Sequence, residues 1–244
     1  MFCFQCQETV GNTGCTIRGV CGKQDSTANL QDLLIHVLKG ISVYGEKLRE
    51  LGSPDRSPGL FIYKALFATI TNANFDDGRF VTLIREALEL REQLRSKFLS
   101  VYKEKTGADF TDALPDATTW SSNDPAEFAE KATSVGVLAT SDSDVRSLRE
   151  LLILGLKGIA AYAEHAAVLG CRNEEIEDFM MEALASTTKD LPTNEMIDLV
   201  MRAGETAVSA MALLDEANTT SYGHPEISEV SIGVRNNPGI LISG

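Results

Sequence analysis

Positive charge is scarce in this sequence. Lys and Arg total 22 against 35 Asp and Glu, for a formal net charge of −13. A phosphate-binding surface needs the opposite balance, so nucleic acid is excluded as the main partner. Long apolar runs are also missing. No uninterrupted stretch approaches the roughly 20 residues of a membrane span. The opening MFCFQCQETVGN has neither the basic start nor the apolar stretch of a secretory leader. These absences set the expectation of a cytoplasmic protein without a membrane partner. There is no nucleotide-binding glycine loop and no nucleophile paired with a base. Cysteine is nearly absent after residue 21, where only Cys171 follows.

What is present suits a globular chain. With 244 residues, 43% hydrophobic and 23% charged, it can bury a sizeable core in one large domain or two smaller ones. Residues 27–51 carry Leu30, Leu33, Leu34, Val37, Leu38, Ile41, Tyr44, Leu48 and Leu51 every three or four positions, the mark of one buried helix face. Ser26 or Thr27 would cap its start and Gly52 would stop it. Further helices are expected over 59–72 and 77–101. Asp76–Asp77 and Glu174–Glu175 fall where helix starts would need caps and negative charge.

The pattern then repeats. DLLIHVLKGISVYGEKLRELG (32–52) aligns without gaps on ELLILGLKGIAAYAEHAAVLG (150–170), with 11 of 21 pairs identical, among them Lys39 with Lys157 and Gly40 with Gly158. Phe61, Ala65 and Leu66 match Phe179, Ala183 and Leu184 at the same offset. The expected organisation is mainly α: a cysteine-rich segment (1–26), a three-helix bundle (27–102), a connector holding a short helix after Asp124–Pro125 (103–144), and a second, duplicated three-helix bundle (145–218). A mid-helix glycine costs roughly 1 kcal/mol against alanine, so the shared glycine is expected to let another backbone pass close by. Residues 219–244 leave the helical period. VSIGV and GILISG, separated by NNPG, read as the opening of an incomplete α/β (Rossmann-like) domain.

The remaining cysteines are concentrated at the start, spaced Cys3-x2-Cys6-x8-Cys15-x5-Cys21. In a reducing compartment clustered thiols are metal ligands more often than disulfides, and an odd total of five fits a disulfide framework poorly. Gly11, Gly14, Gly19 and Gly22 let the backbone curl around a metal centre. Two centres compete. Structural zinc favours two close pairs, whereas a second pair stretched to x5 leans towards iron–sulfur. A zinc-stapled helical interaction module therefore stands as the alternative to a redox protein. Cys171 lacks a cysteine or histidine neighbour and reads as packing. His36 reads as core or rim and His224 as a turn residue, and His36 and His165 are not at equivalent repeat positions.

The segment CFQCQETVGNTGCTIRGVCGK resembles the start of the hybrid-cluster proteins, also called prismane proteins or hydroxylamine reductases. The helix LLIHVLKGISVYGEKLRELG, its repeat in DVRSLRELLILGLKGIAAYAEHA, and RNNPGILISG are similar to that family too. The resemblance implies a [4Fe–4S] cluster on Cys3, Cys6, Cys15 and Cys21, and an N-terminal part built of two three-helix bundles. It also implies that electrons pass from that cluster to a hybrid iron–sulfur–oxygen cluster, where hydroxylamine, or alternatively nitric oxide, is reduced. The ligands of the hybrid cluster would lie beyond Gly244, in further α/β domains of a chain about twice this length. The implied partners are those remaining domains and a redox donor protein.

Overall fold

The computed structural model describes residues 1–234 and 236–241. Helices dominate: α1 (Asp25–Glu50), α2 (Gly59–Ala68), α3 (Asp77–Thr106), α4 (Asp116–Thr119), α5 (Pro125–Val135), α6 (Ser143–Val168), α7 (Glu174–Ser186) and α8 (Thr193–Tyr222). The three helices expected in the first half are present, but α2 stops at Ala68, short of the expected residue 72, and α3 runs on to Thr106, past the expected residue 101.

Local chemistry accounts for most of the boundaries. Asp76 accepts from the Arg79 amide and Asp124 from the Ala126 amide, each capping its helix. The cap of α7 is Asn173, which accepts from the amides of Glu175 and Ile176, while Glu174 and Glu175 occupy the first turn. Gly52, at φ +64°, ends α1 as expected. The start of α1 differs from the sequence reading. Neither Ser26 nor Thr27 caps it, because the helix begins at Asp25. The Thr27 hydroxyl instead donates to Asp77 Oδ1 at 2.5 Å, tying the starts of α1 and α3 together.

One continuous core joins the helices. α1 lies along α3, and α6 along α8. The short middle helices cross over: α2 packs on α6, and α7 packs on α1. At the α1–α7 crossing Gly45 lies so close to Met181 that an added Cβ would come within 2.8 Å of its sulfur. Ion pairs follow the same crossing. Arg56, just ahead of α2, holds Asp178 of α7 through two hydrogen bonds of 2.9 and 2.7 Å. Lys189 meets Glu46 at 2.6 Å. Helix α6 is long and apolar enough by composition to cross a membrane. Here it is a core helix, its apolar side against α2 and α8.

Two expectations need correction. The glycines shared by the repeat occupy unlike surroundings. A Cβ on Gly40 would meet the Ala117 carbonyl oxygen at 1.9 Å, so a backbone does pass close by there. Gly158 is exposed and would meet nothing within 4 Å. The reason is α4, a single turn of the connector with no counterpart against α6. The second concerns VSIGV. Residues 230–234 form no strand and Val230, Ile232 and Val234 are exposed, since a strand requires an edge to pair with. The end of GILISG, residues 242–244, lies outside the described residues.

Candidate functional site

The cysteine segment is folded by its own backbone. Cys3 and Cys15 form an antiparallel bridge, the Cys3 amide donating to the Cys15 carbonyl at 3.0 Å and the Cys15 amide to the Cys3 carbonyl at 2.8 Å. Between them the chain turns through Val10–Asn12, with Gly11 and Asn12 both left-handed at φ near +58° (59° and 57°). Thr9 fastens the loop: its hydroxyl donates to the Cys3 carbonyl at 3.1 Å and lies 3.8 Å from Cys15 Sγ.

Cys15 is buried, while Cys3, Cys6 and Cys21 are half-buried, and all are free thiols. The backbone N–H groups of Val10 and Val20 point at the Cys15 sulfur and hold its pKa below the usual thiol value, against the opposing effect of burial. Gly19 runs beside the last cysteine, where an added Cβ would come within 3.0 Å of Cys21 Sγ. A side chain at Gly19 would crowd that sulfur and the Lys23 amide, 3.3 Å from the same point. Gly14 is likewise closed off by the ring of Phe2, 2.5 Å from where its Cβ would be.

The segment is clamped onto the helices. The ammonium of Lys23 is buried and donates to Gln31 Oε1 of α1 at 2.7 Å, and Gln31 in turn donates to the Asn74 carbonyl at 3.4 Å. On the other side, Phe2, Cys3, Phe4 and Gln5 cover a cavity of about 350 Å³ between α1 and α6. The structure thus pairs Cys3 with Cys15 and brings all four cysteines into one short folded segment. It does not draw their sulfurs into a single shell. Among the described residues, no three His, Cys, Asp or Glu side chains converge as metal ligands would.

The donor set fits an iron–sulfur group in its chemistry. Four unpaired thiols are available, one held towards thiolate by backbone N–H groups, and N–H donation to sulfur is how proteins tune such clusters. Cys171 is half-buried past the end of α6, its amide bonded to the Ala166 carbonyl, away from the segment. His36 Nε2 lies 3.0 Å from Asp116 Oδ2 at the cavity rim, His165 bonds back to its own helix at the Ala161 carbonyl, and His224 is exposed. Sequence reasoning missed the cavity itself. Its signal was present: Asp32 aligns with Glu150 and Lys39 with Lys157, four charges on otherwise apolar helix faces.

The whole chain, residues 1–244, matches the Prismane/CO dehydrogenase family, and it belongs to that family. Within it, the chain is 68% identical over 244 residues to the hydroxylamine reductase of Nitratidesulfovibrio vulgaris. It is 58% identical over 245 residues to that of Halothermothrix orenii and 54% over 245 residues to that of Bacteroides thetaiotaomicron. Each match covers all of this chain but only 44%, 44% and 43% of those proteins. The chain spans less than half the length of these relatives and corresponds to their N-terminal part.

Proposed function

We propose that this chain is the electron-carrying N-terminal portion of a hydroxylamine reductase, with Cys3, Cys6, Cys15 and Cys21 holding a [4Fe–4S] cluster. The observation that carries the reading is the Cys3–Cys15 bridge, with the Cys15 thiol lowered by the N–H groups of Val10 and Val20. It is set in a chain 68% identical to a hydroxylamine reductase. When bound, the cluster supplies one-electron storage. The residues' part is structural and electrostatic. The Cys3–Cys15 backbone pairing sets where two of the sulfurs start. Thr9 and the amides of Val10 and Val20 stabilise negative charge on sulfur. Phe2 and Phe4 shield the inner side, and the Lys23–Gln31 bond fixes the segment to α1.

The reaction of the whole protein would be hydroxylamine plus two electrons and two protons giving ammonia and water, with nitric oxide reduction as the alternative. It would occur at a hybrid iron–sulfur–oxygen cluster in the remaining domains, with a redox donor protein feeding electrons in the cytoplasm. Four cysteines on one cluster leave no iron open to substrate, so this chain by itself would carry electrons without turning substrate over.

The test is metal and acid-labile sulfide analysis of protein purified without oxygen. The expected result is a brown protein with about four iron and four sulfide per chain. Colourless protein with one zinc and no sulfide would overturn it in favour of a zinc-stapled interaction module.

A further inference from the structure

The cavity beneath the cysteine segment carries four charged side chains on a lining that also holds apolar residues such as Phe2, Ile35 and Ile153. Asp32 and Lys39 are seven residues apart on α1, two turns along one face, and Glu150 and Lys157 have the same spacing on α6. All four border the same cavity of about 350 Å³, large enough for several waters. Among the described residues, no ion pair within 4 Å joins any of these four side chains to a partner. Asp32, Lys39 and Glu150 make no hydrogen bond to protein there, and Lys157 makes one weak bond, to the Thr69 carbonyl at 3.3 Å. Charges left this way must be satisfied by water in the cavity.

The other charges around the cavity have protein partners, although Arg149 Nε is left without one. Asp116 is taken by Lys131 at 2.7 Å and His36 at 3.0 Å, Arg149 donates to the Lys189 carbonyl at 2.6 Å, and Lys23 to Gln31. The first cysteine, Cys3, also borders the cavity. Burial pushes the Asp32 carboxyl up to about 7 and the Lys157 ammonium down to about 8. Burial also raises Glu150 and lowers Lys39. The two acids move up and the two bases move down, so burial favours the uncharged form of each.

We propose that Asp32, Lys39, Glu150 and Lys157 form a proton-exchange site, which takes up one proton from solvent when an electron adds negative charge to the cysteine segment and releases it when that electron leaves. The coupling rests on the reading of the segment as an electron carrier. The step balances simply: a one-electron donor supplies the electron, solvent supplies the proton, and a cavity carboxylate becomes a carboxylic acid. No other bond forms or breaks. A reduction that consumes two protons with two electrons would have a proton store next to its electron store.

Two measurements test it. On the cluster-bearing chain, the midpoint potential is followed against pH. The wild type should fall by up to about 59 mV per pH unit near neutrality, a tenfold change in the reduction equilibrium per unit. The Asp32→Asn/Glu150→Gln double variant should be nearly flat. The second measurement needs no cluster: carboxyl carbon NMR on the chain, where Asp32 should titrate near neutrality and shift further up in Lys39→Gln. An equal slope in wild type and double variant would overturn the coupling. An Asp32 carboxyl that titrates wholly in the ordinary acid range would overturn the exchange site itself. A chain that holds no iron or sulfide refutes the electron-carrier reading, and with it the coupling, while the NMR result still decides the site.

Discussion

Gly40 and Gly158 occupy aligned positions in two closely similar helices, yet a methyl group should act oppositely at the two. At Gly40 the Ala117 carbonyl fills the space, and that same oxygen accepts from Arg91 Nη1 at 2.9 Å. Gly40→Ala must push α4 away and break a buried charge-assisted hydrogen bond, at an expected cost of about 3 kcal/mol. Gly158→Ala meets open space and should stabilise the chain by roughly 0.5–1 kcal/mol through helix propensity. Denaturant unfolding of the two variants checks both signs. If the four cysteines hold a cluster as proposed, Cys15→Ser should lose it because such a site has no spare ligand, while Cys171→Ser should keep the visible absorbance. His36 has a pH signature. Burial, outweighing the nearby Asp116 carboxylate, pushes its pKa from 6.5 down to about 4. A folded-state value below the unfolded one means the unfolded chain binds the proton first. Stability present above pH 6.5 is therefore lost as pH falls towards 4, and His36→Gln should flatten that part of the melting curve against pH.

Elements are held by a few terminal groups and by the crossing of the middle helices. Asn173 alone caps α7 through its side chain, so Asn173→Ala should cost about 1 kcal/mol. Helix α7 then bears on α1 at Gly45, and α2 bears on α6. Glu182 of α7 stitches two further helices, accepting from Arg202 of α8 at 2.6 Å and Arg49 of α1 at 3.3 Å. Its carboxyl is held below its usual value chiefly by Arg202. The apolar period located α1 to within two residues, because one face of that helix is buried nearly throughout. It gave no sign of α4. A single turn has no period to read, and α4 exists because Ala117 and Thr118 dock on Gly40, Arg91 and Tyr44.

At the scale of the molecule, the crossover ties the two helical sets into one core. Residues 27–106 expressed alone would lack α6, the surface on which α2 packs, and α7, which covers α1. That fragment should not fold, while the chain of 244 residues should melt in one transition whether followed by circular dichroism or by Trp120 fluorescence. Separate transitions for the two halves would contradict this. On the proposed electron-carrying role, a reduced-viologen assay under argon should detect no enzymatic turnover of hydroxylamine by this chain alone.

The helices, their repeat and the four grouped cysteines were determined by the sequence by itself, because each is a local pattern: a 3.6-residue period, a constant offset, a spacing. Family membership followed from the same local strings. Which helix covers which was decided only in three dimensions. The apolar faces of α2 and α7 suit either partner, and the fold is settled by shape at Gly45 and by ion pairs between residues more than a hundred positions apart, such as Arg56 with Asp178. The same holds for the charges in the cavity. Asp32 with Glu150 and Lys39 with Lys157 stand at matching repeat positions, but no local pattern says that the two helices turn them into one cavity. Removal from bulk water around one cavity, beside Phe2 and Cys3, is what moves Asp32 up and Lys157 down towards neutrality.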